Sequence, residues 1–140
     1  MVSRDSVRIS FLIASLNDLD ICDCDIGKSY LNAKFRERLW TVSGTYFGPS
    51  DRESVMIIAR ALYGLKYSGS AWRAKPAKTL NSMGYQYIES DPDVWFKQAV
   101  NTSGREYYKY MLVYVYKILL LGHDPKEYMD ALNHTYRLKE

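Results

Sequence analysis

The chain has 140 residues, a length that suits one domain and allows roughly two-thirds of the unfolded surface to be buried. Apolar residues make up 47% and charged residues 25%, which is typical of a globular protein. The net charge of +3 is spread evenly along the chain, which excludes a strong electrostatic footprint for nucleic acid and leaves a local basic patch open.

The first predicted elements are a helix and a strand. "SVRISFLIASLND" has apolar residues mostly at helical spacing and ends at Asn17-Asp18. "LDICDCDI" alternates with the period of a strand, so that two faces are expected: Ile21, Asp23 and Asp25 on one, and Cys22, Cys24 and Ile26 on the other. Gly27 breaks this run, so Asp25 falls at the strand's end, where sheets often present functional groups.

The middle of the chain predicts two strands and a helix. "RLWTV" is a short strand, "GTYFGPSDRES" a loop, and "SVMIIARAL" a buried strand. From Ser68 to about Met83 the pattern is helical, with candidate core positions at Ala71, Trp72, Ala74, Leu80 and Met83. Because an interior proline costs about 3 kcal/mol, we expect a bend or a break at Pro76.

The last third predicts further strands and a final helix. "YQYI", "DVWFKQAV" and "REYYKYMLVYV" are strands with "NTSG" as a turn, and "ILLL" follows a turn at Tyr116-Lys117. "DPKEYMDALNHTYRL" is a helix capped by Asp124, whose apolar face comprises Met129, Leu132 and Tyr136. Strands and helices mix without strict alternation, which favours an α+β fold.

Location is predicted from what the sequence lacks. No signal peptide is visible, and the longest apolar run, "MLVYVY", is far too short to span a bilayer. Cys22 and Cys24 have no further ligands nearby and are interpreted as small apolar strand residues in a reducing compartment. We therefore expect an intracellular protein, cytoplasmic or nuclear, with no membrane partner.

Four blocks carry a resemblance. "DCDIGKSYLNA", "IIARALYGLKYSGSAW", "ESDPDVWF" and "YKYMLVYVYKILLLGHDP" occur in this order and together resemble the reverse transcriptase of Ty1/copia-type retrotransposons, over nearly the whole chain. The resemblance implies the palm of an RNA-directed DNA polymerase, with a palm-like antiparallel sheet and helices packed on one face. It also implies Mg²⁺, a primer–template of RNA and DNA, and deoxynucleoside triphosphates as partners.

The resemblance also implies the catalytic residues. The family holds two Mg²⁺ ions with one aspartate from the first block and two from a "YVDD" hairpin. Asp25 matches the first aspartate, whereas Tyr116 and Lys117 occupy the two hairpin positions. We therefore expect Asp25 to be the sole remaining acid, Mg²⁺ to bind weakly or not at all, and catalysis to be lost.

Lys117 leaves two hypotheses open. It either stands in for the missing metal by pairing with Asp25, or points into water; a separation of more than about 6 Å would rule out the pairing. Asp23 lies on the same strand face as Asp25, but two-residue spacing places it about 7 Å away, so it is interpreted as a bystander.

The predicted nucleotide-binding residues are Gly27, Lys28, Ser29 and Tyr30. The resemblance places the backbone around Lys28 and Ser29 against the triphosphate, and Tyr30 at the residue that excludes a ribose 2′-OH. Lys28 either helps phosphate binding or distorts the pocket, because relatives commonly have an uncharged residue there. The alternative for Tyr30 is a core tyrosine.

The "LYGLKYSGSAW" block is implied to lie near the template and the nucleotide's base. Gly64 would permit close backbone approach and Lys66 would meet a phosphate, the alternative being an ordinary solvated lysine. Trp72 is interpreted as a core anchor. "ESDPDVWF" is expected to be structural, with Asp91-Pro92 turning the chain into a strand, and His123 and His134 to lie on the surface.

We therefore predict a partial reverse transcriptase palm domain over residues 1–140, inactive, with part of the fingers, the thumb and RNase H absent. Weak or absent primer–template binding and self-association through exposed sheet are expected. One alternative function is a non-catalytic module that binds nucleic acid or protein with the palm fold. Another is an enzyme that holds its metals differently.

Overall fold

The computed structural model describes residues 1–139, and these form two compact units. One unit comprises residues 1–28 together with the chain from Pro76 onward, and the other comprises Ser29–Lys75. The helices are α1 (Arg4–Leu16), α2 (Ser68–Ser82) and α3 (Pro125–Asn133). The strands are β1 (Asp20–Ile26), β2 (Trp40–Val42), β3 (Val55–Ile57), β4 (Gln86–Ile88), β5 (Asp91–Val100), β6 (Glu106–Tyr114), β7 (Lys117–Gly122) and β8 (Leu138–Lys139).

The first unit is built on a six-stranded sheet in the order β4-β5-β6-β7-β1-β8. Every pair of neighbouring strands in it is antiparallel. The combination of this sheet with three helices confirms the predicted α+β fold. None of the helices among residues 1–139 is both long and apolar enough to cross a membrane.

The central strands β6 and β7 are buried on both of their faces. Consecutive residues of a strand point to opposite sides of the sheet, yet Met111, Leu112 and Val113 are all buried. Leu120 and Leu121 on β7 are likewise inaccessible. The uninterrupted apolar runs in these strands therefore reflect a sheet that is covered on two sides.

The helices cover both faces of this sheet rather than the single face expected. Ala14 of α1 belongs to a core cluster with Leu112 and Leu121. Gly122, the next residue of β7, faces Tyr128 of α3 so closely that a Cβ there would lie 2.7 Å from the tyrosine ring. Because Leu121 and Gly122 point in opposite directions, α1 and α3 lie on opposite sides, as two apolar faces require.

Helix α1 begins two residues before the helical stretch predicted from the sequence, and it buries a narrow stripe. The Ser3 side chain caps it by accepting a hydrogen bond from the backbone N–H of Ser6 at 3.0 Å. Only Ser10 and Ala14 are buried within it. The apolar side chains that remain exposed are Ile9, Phe11, Leu12 and Leu16.

Helix α2 is continuous through Pro76, so the helix does not break there, whereas the alternative expectation of a bend stays a prediction. Trp72, Pro76 and Leu80 recur at four-residue spacing and all three are buried. Burial of this one face offsets the hydrogen bond that proline removes. Trp72, at 2% exposure, is the core anchor that the sequence predicted, whereas Ala74 is exposed and Met83 follows the end of the helix.

The second unit contains a two-stranded antiparallel ribbon of β2 and β3. Trp40 pairs with Ile57 and Val42 with Val55, which places all four side chains on one face. Each of them is more than half exposed. The prediction of a buried strand over residues 54–62 is therefore wrong, because an apolar run indicates a strand without specifying a layer that covers it.

The end of the described chain differs from the single helix predicted. Asp124 caps α3 as expected, accepting from the N–H of Glu127 at 3.4 Å, but the helix ends at Asn133. The Asn133 side chain then accepts the N–H of Leu138, the first residue of β8. Tyr136 is nonetheless buried, and its hydroxyl lies 2.7 Å from that of Thr79.

Candidate functional site

The register of the sheet places Asp25 beside the β6–β7 hairpin. Asp25 of β1 pairs directly with Lys117 of β7, and Cys24 pairs with Ile118. The N–H of Ile26 donates to the carbonyl oxygen of Tyr116 at 2.6 Å. The backbone therefore fixes the candidate acid and the hairpin side by side.

The hairpin turn lies one residue earlier than the Tyr116-Lys117 turn expected. Val115 and Tyr116 form it, and Tyr114 pairs with Lys117 to close it. Val115 has φ of +50°, a left-handed conformation that a β-branched residue rarely adopts. Lys117 is consequently the first residue of β7, and its side chain lies on the same face as that of Asp25.

Lys117 contacts two carboxylates. Its Nζ lies 2.6 Å from Asp23 Oδ2, a hydrogen-bonded ion pair, and 3.2 Å from Asp25 Oδ1. The separation from Asp25 satisfies the 6 Å limit set for pairing, so the hypothesis that Lys117 merely points into water is wrong. The interpretation of Asp23 as a bystander is also wrong, because the flexible lysine stem brings one ammonium to two side chains of the same strand face.

The electrostatics of this cluster favour its charged forms. The hydrogen bond from Lys117 lowers the pKa of Asp23 below its ordinary value. The hydrogen bond to Asp23, followed by the contact with Asp25, raises the pKa of Lys117. Asp25 Oδ1 is shielded from solvent and accepts no hydrogen bond within residues 1–139, so its approach to Lys117 is an ion-pair contact without hydrogen-bond geometry.

A second lysine flanks Asp25 and was not found from the sequence. Lys139 of β8 pairs with Asp25 from the side opposite Lys117. Its side chain runs along Gly27, with Cε 3.6 Å from the position that a Cβ of Gly27 would occupy. No sequence signal could identify this residue, because its neighbourhood depends on the pairing of β8 with β1.

The residues present do not fit a divalent metal in the present side-chain arrangement. Within the described part of the chain, no group of three or more His, Cys, Asp or Glu residues is placed to hold a metal ion. Asp23 and Asp25 supply two carboxylates, but the ammonium of Lys117 lies between them. Hard divalent cations need carboxylate oxygens that are free to coordinate.

Gly27 and Lys28 follow β1 directly. The N–H of Gly27 donates to the carbonyl oxygen of Arg137 at 2.8 Å, and a Cβ on Gly27 would lie 3.0 Å from that oxygen. This glycine therefore permits the close approach of the backbone that precedes β8, and its N–H is already engaged. Lys28 is exposed and has φ of +53°; its contact with a phosphate stays a prediction.

Ser29 and Tyr30 belong to the second unit, and both contact Tyr63. Ser29 is fully buried, with Oγ 3.1 Å from the Tyr63 hydroxyl. The Tyr30 ring lies edge-on to that of Tyr63 at 4.4 Å between centroids, and Tyr30 is half-buried. These contacts hold Tyr30 in one orientation, and its role against a ribose stays a prediction.

Gly64 and Lys66 lie in a loop of the second unit. Gly64 has φ of +89°, a backbone conformation that favours glycine. No described residue comes within 4 Å of the position that a Cβ would occupy, so the backbone conformation, and not crowding by neighbours, is the reason for glycine here. Lys66 is exposed, with Nζ 5.3 Å from the centre of the Tyr67 ring. Template contact by these residues stays a prediction.

The other residues singled out from the sequence are structural. Asp91 is the first residue of β5, after a turn at Glu89-Ser90 rather than at Asp91-Pro92. Its carboxylate accepts hydrogen bonds from the N–H of Ser3 and the hydroxyl of Ser6. Burial raises the pKa of the Cys24 thiol to about 11, as suits an apolar strand residue. The two histidines, His123 and His134, are exposed as predicted.

The comparisons with known proteins identify the family of this chain. The family described as "Reverse transcriptase (RNA-dependent DNA polymerase)" matches residues 1–139, and the chain belongs to this family. This confirms the family predicted from the four sequence blocks. No solved structure gives a significant match to the chain.

The similar curated proteins are plant retrotransposon polyproteins. Over the whole length of this chain, it is 28% identical to the retrovirus-related Pol polyprotein from transposon RE2 of Arabidopsis thaliana. It is 27% identical, again over its own whole length, to the Pol polyprotein from transposon RE1 of the same plant. It is 25% identical, over 89% of its length, to the Pol polyprotein from transposon TNT 1-94 of Nicotiana tabacum. The chain spans about a tenth of the length of these relatives.

Proposed function

We propose that this chain is a catalytically inactive palm segment of a Ty1/copia-type reverse transcriptase and that it is intracellular. The observation that carries the proposal is the position of Lys117. Its ammonium lies 2.6 Å from Asp23 and 3.2 Å from Asp25, at the hairpin where the family resemblance assigns two metal-binding acids.

The chemistry of nucleotide transfer supports this proposal. Reverse transcriptases as a family use divalent metal ions, and such ions activate the attacking oxygen and stabilise the leaving group in an in-line displacement. Tyr116 and Lys117 at the hairpin replace two negative charges with one positive charge, a change of three units. The ammonium repels a divalent cation and withdraws Asp23 and Asp25 from coordination.

The partners implied by the family are proposed to be retained only weakly. Contacts with deoxynucleoside triphosphate and primer–template are proposed for Lys28, Tyr30 and Lys66 on the family resemblance. Gly27 is a weaker candidate for phosphate binding than the sequence suggested, because its N–H donates to Arg137. Without two bound cations, nucleotide binding would lack its main electrostatic contribution.

The test is a Mn²⁺ titration of the native chain beside the double variant Tyr116→Asp/Lys117→Asp. We expect measurable binding of two ions in the variant alone, because only it supplies three acids at the hairpin and Asp25. Adding Asp25→Asn to the double variant is the matched control and should weaken binding again. Equal binding by the native chain and the double variant would contradict the hairpin assignment.

Primer extension on an RNA template, with Mg²⁺ or Mn²⁺, tests inactivity directly. The native chain is expected to add no nucleotides in either metal. Extension by the native chain, lost on Asp25→Asn, would show that it holds its metals in another way and would overturn the proposal.

A further inference from the structure

The first part of β6 has a strand partner on one side only. Its pairing with β5 runs from Glu106 to Leu112, whereas its pairing with β7 begins only at Tyr110. No backbone hydrogen bond joins residues 106–108 to any described residue outside β5. Because an antiparallel strand turns the N–H and C=O of every second residue to the same side, this stretch presents unpaired backbone groups. We call it the open edge of β6.

The open edge is held in place by its neighbours. The Tyr107 hydroxyl lies 2.8 Å from that of Tyr128, and the Tyr107 ring meets the His123 ring edge-on at 4.5 Å between centroids. In the turn before the edge, the Asn101 side-chain oxygen accepts the N–H of Arg105 at 2.8 Å. An edge that is fixed in advance loses little conformational entropy when a further strand pairs with it.

A cavity of about 500 Å³ lies beside the open edge. Residues 106–108 line it from β6, and Asp18 and His123 line it from the segments that follow α1 and β7. The cavity therefore lies beyond the end of β7, next to the unpaired part of β6. Its volume is ample for one long side chain, since pockets for whole small ligands measure roughly 300–1,000 Å³.

The lining of the cavity favours a cationic side chain. Asp18 and Glu106 supply two negative charges and Arg105 one positive charge, which leaves one net negative charge when histidine is counted as neutral. Tyr108 and Tyr110 also line the cavity, and Tyr108 is 48% exposed. Tyrosine rings attract ammonium and guanidinium groups, and the stem of a long basic side chain packs on apolar surface.

The two units of the chain carry charge of opposite sign. Residues 29–75 hold eight Lys and Arg against three Asp and Glu, a net charge of +5. The remaining residues, 1–28 and 76–140, hold eleven against thirteen, a net charge of −2. The even spread of charge between the two halves of the sequence therefore conceals a separation between the units. The basic unit of one copy is attracted to the acidic unit of another.

The basic unit contains a segment that suits the cavity. Lys34, Arg36 and Arg38 alternate along the chain before β2, and all three are exposed. The N–H of Phe35 donates to the carbonyl oxygen of Ala59 at 3.2 Å, whereas the N–H groups of Arg36 and Arg38 donate to no described residue. This segment therefore has basic side chains at the spacing of a strand and unpaired backbone donors of its own.

We propose that the open edge of β6 and its cavity bind residues 34–38 of a second copy of this chain. The two backbones pair as strands, and Arg36, the middle basic residue, enters the cavity between Asp18 and Glu106. Backbone pairing supplies affinity, and the side chain in the cavity selects the segment. Tyr108 lies six residues before Tyr114, roughly 20 Å along β6 from the hairpin tip, so the inference does not rest on the proposed function.

The first experiment measures binding of the synthetic peptide of residues 33–39 (AKFRERL) to the native chain by fluorescence anisotropy. We expect the Arg36→Gln peptide to bind about threefold to fivefold more weakly, because it loses the charge. The same peptide with a fully N-methylated backbone should bind at least about tenfold more weakly, because it cannot donate to β6. No binding of the unmodified peptide, or equal binding of the three peptides, would overturn the inference.

Variants of the chain locate the peptide. Asp18→Asn/Glu106→Gln should weaken binding of the unmodified peptide about threefold to fivefold, as the loss of Arg36 does. Glu89→Gln/Asp130→Asn is the matched control, because it makes the same change of charge at two exposed acids outside the cavity and should leave the affinity unchanged. An equal loss in both variants would mean that the peptide responds to overall charge and not to the cavity.

The second experiment measures self-association by sedimentation equilibrium over a range of concentrations. Arg36→Glu should lower the association constant of the native chain at least about tenfold, because it reverses the charge that enters the cavity. Arg52→Glu, the same reversal at another exposed arginine of the basic unit, is the control and should lower it less. A native chain that stays monomeric would overturn the inference. Association that is lost in Val42→Gln but kept in Arg36→Glu would place the interface on the β2–β3 ribbon instead and would overturn it too.

Discussion

The two ends of the β6–β7 hairpin differ in what they do for the molecule. At the base, Leu112, Leu120 and Leu121 are at most 1% exposed and hold the sheet between its covering helices. At the tip, Tyr114 and Tyr116 are nearly half exposed and the backbone at Val115 is left-handed. The residues that hold the fold and the positions proposed to correspond to the metal-binding acids of the family therefore lie on one hairpin, only a few positions apart.

The physical reason is that these residues contribute different kinds of free energy. Buried aliphatic groups at the base stabilise the fold in proportion to the apolar area removed from water. Acids grouped at a tip repel one another without a bound cation and stabilise nothing by themselves. A sequence can therefore lose the acids at the tip and keep its antiparallel pairing.

The largest expected effect is at the base. Leu120→Ala removes a side chain with no exposed surface and should lower the free energy of unfolding by about 2–5 kcal/mol, because a cavity is left in a close-packed sheet. Urea denaturation followed by far-UV circular dichroism measures this. Tyr116→Ala at the tip is the control and should change stability by no more than about 0.5 kcal/mol. Similar losses in both variants would remove the distinction between base and tip.

A smaller effect of opposite sign is expected within the tip. Val115 adopts φ of +50°, which costs a residue with a side chain about 1–2 kcal/mol that glycine does not incur. Val115→Gly should therefore raise the free energy of unfolding by about 0.5–1 kcal/mol, after the greater chain entropy of glycine is subtracted. The same urea experiment measures it, with Val113→Gly as a destabilised control from the buried strand. Destabilisation by Val115→Gly would show that the valine side chain outweighs its strained backbone.

The smallest effect is the pH dependence of the Lys117–Asp23 pair. The pKa of Asp23 is lowered, so its contribution to stability is present above the ordinary aspartate value of 3.8 and is lost as pH falls through the lowered pKa. The pKa of Lys117 is raised, so its contribution is present below the ordinary lysine value of 10.5 and is lost as pH rises through the raised pKa.

The measurement compares the native chain with Lys117→Met by urea denaturation across acid and neutral pH. The stability difference between them should be constant near neutrality and shrink below pH 3.8. A difference that grows on acidification would mean that Asp23 is not stabilised in its ionised form by Lys117.

Much of the fold follows from local patterns in the sequence. The strand period of "ICDCDI" correctly assigns Asp23 and Asp25 to one face and Cys24 to the buried one. Asp124 and Pro125 correctly mark the start of α3. Two sequence-based interpretations failed for a common reason: "SVMIIARAL" was expected to be buried and α3 to reach Leu138, yet covering layers and strand partners are not local properties.

Some features of the candidate site were likewise predictable from the sequence, and others were not. Its family was predictable from the four sequence blocks, and the family match confirms it. The assignment of Tyr116 and Lys117 to two acid positions of the family stays a prediction. The involvement of Asp23 was not predictable from strand spacing, because that spacing measures backbone positions and not the reach of a lysine. Lys139 could not be found either, since β8 lies far from β1 along the chain.

By itself, the sequence determined the α+β class, the core strands and the presence of a lysine at the hairpin, because these depend on residue type and period. Only the tertiary structure decided which helix covers which face of the sheet, and that one ammonium is shared by Asp23 and Asp25. Strand register brings distant residues opposite each other, and side-chain length then selects the contact that forms. Neither quantity can be read from a residue and its immediate neighbours.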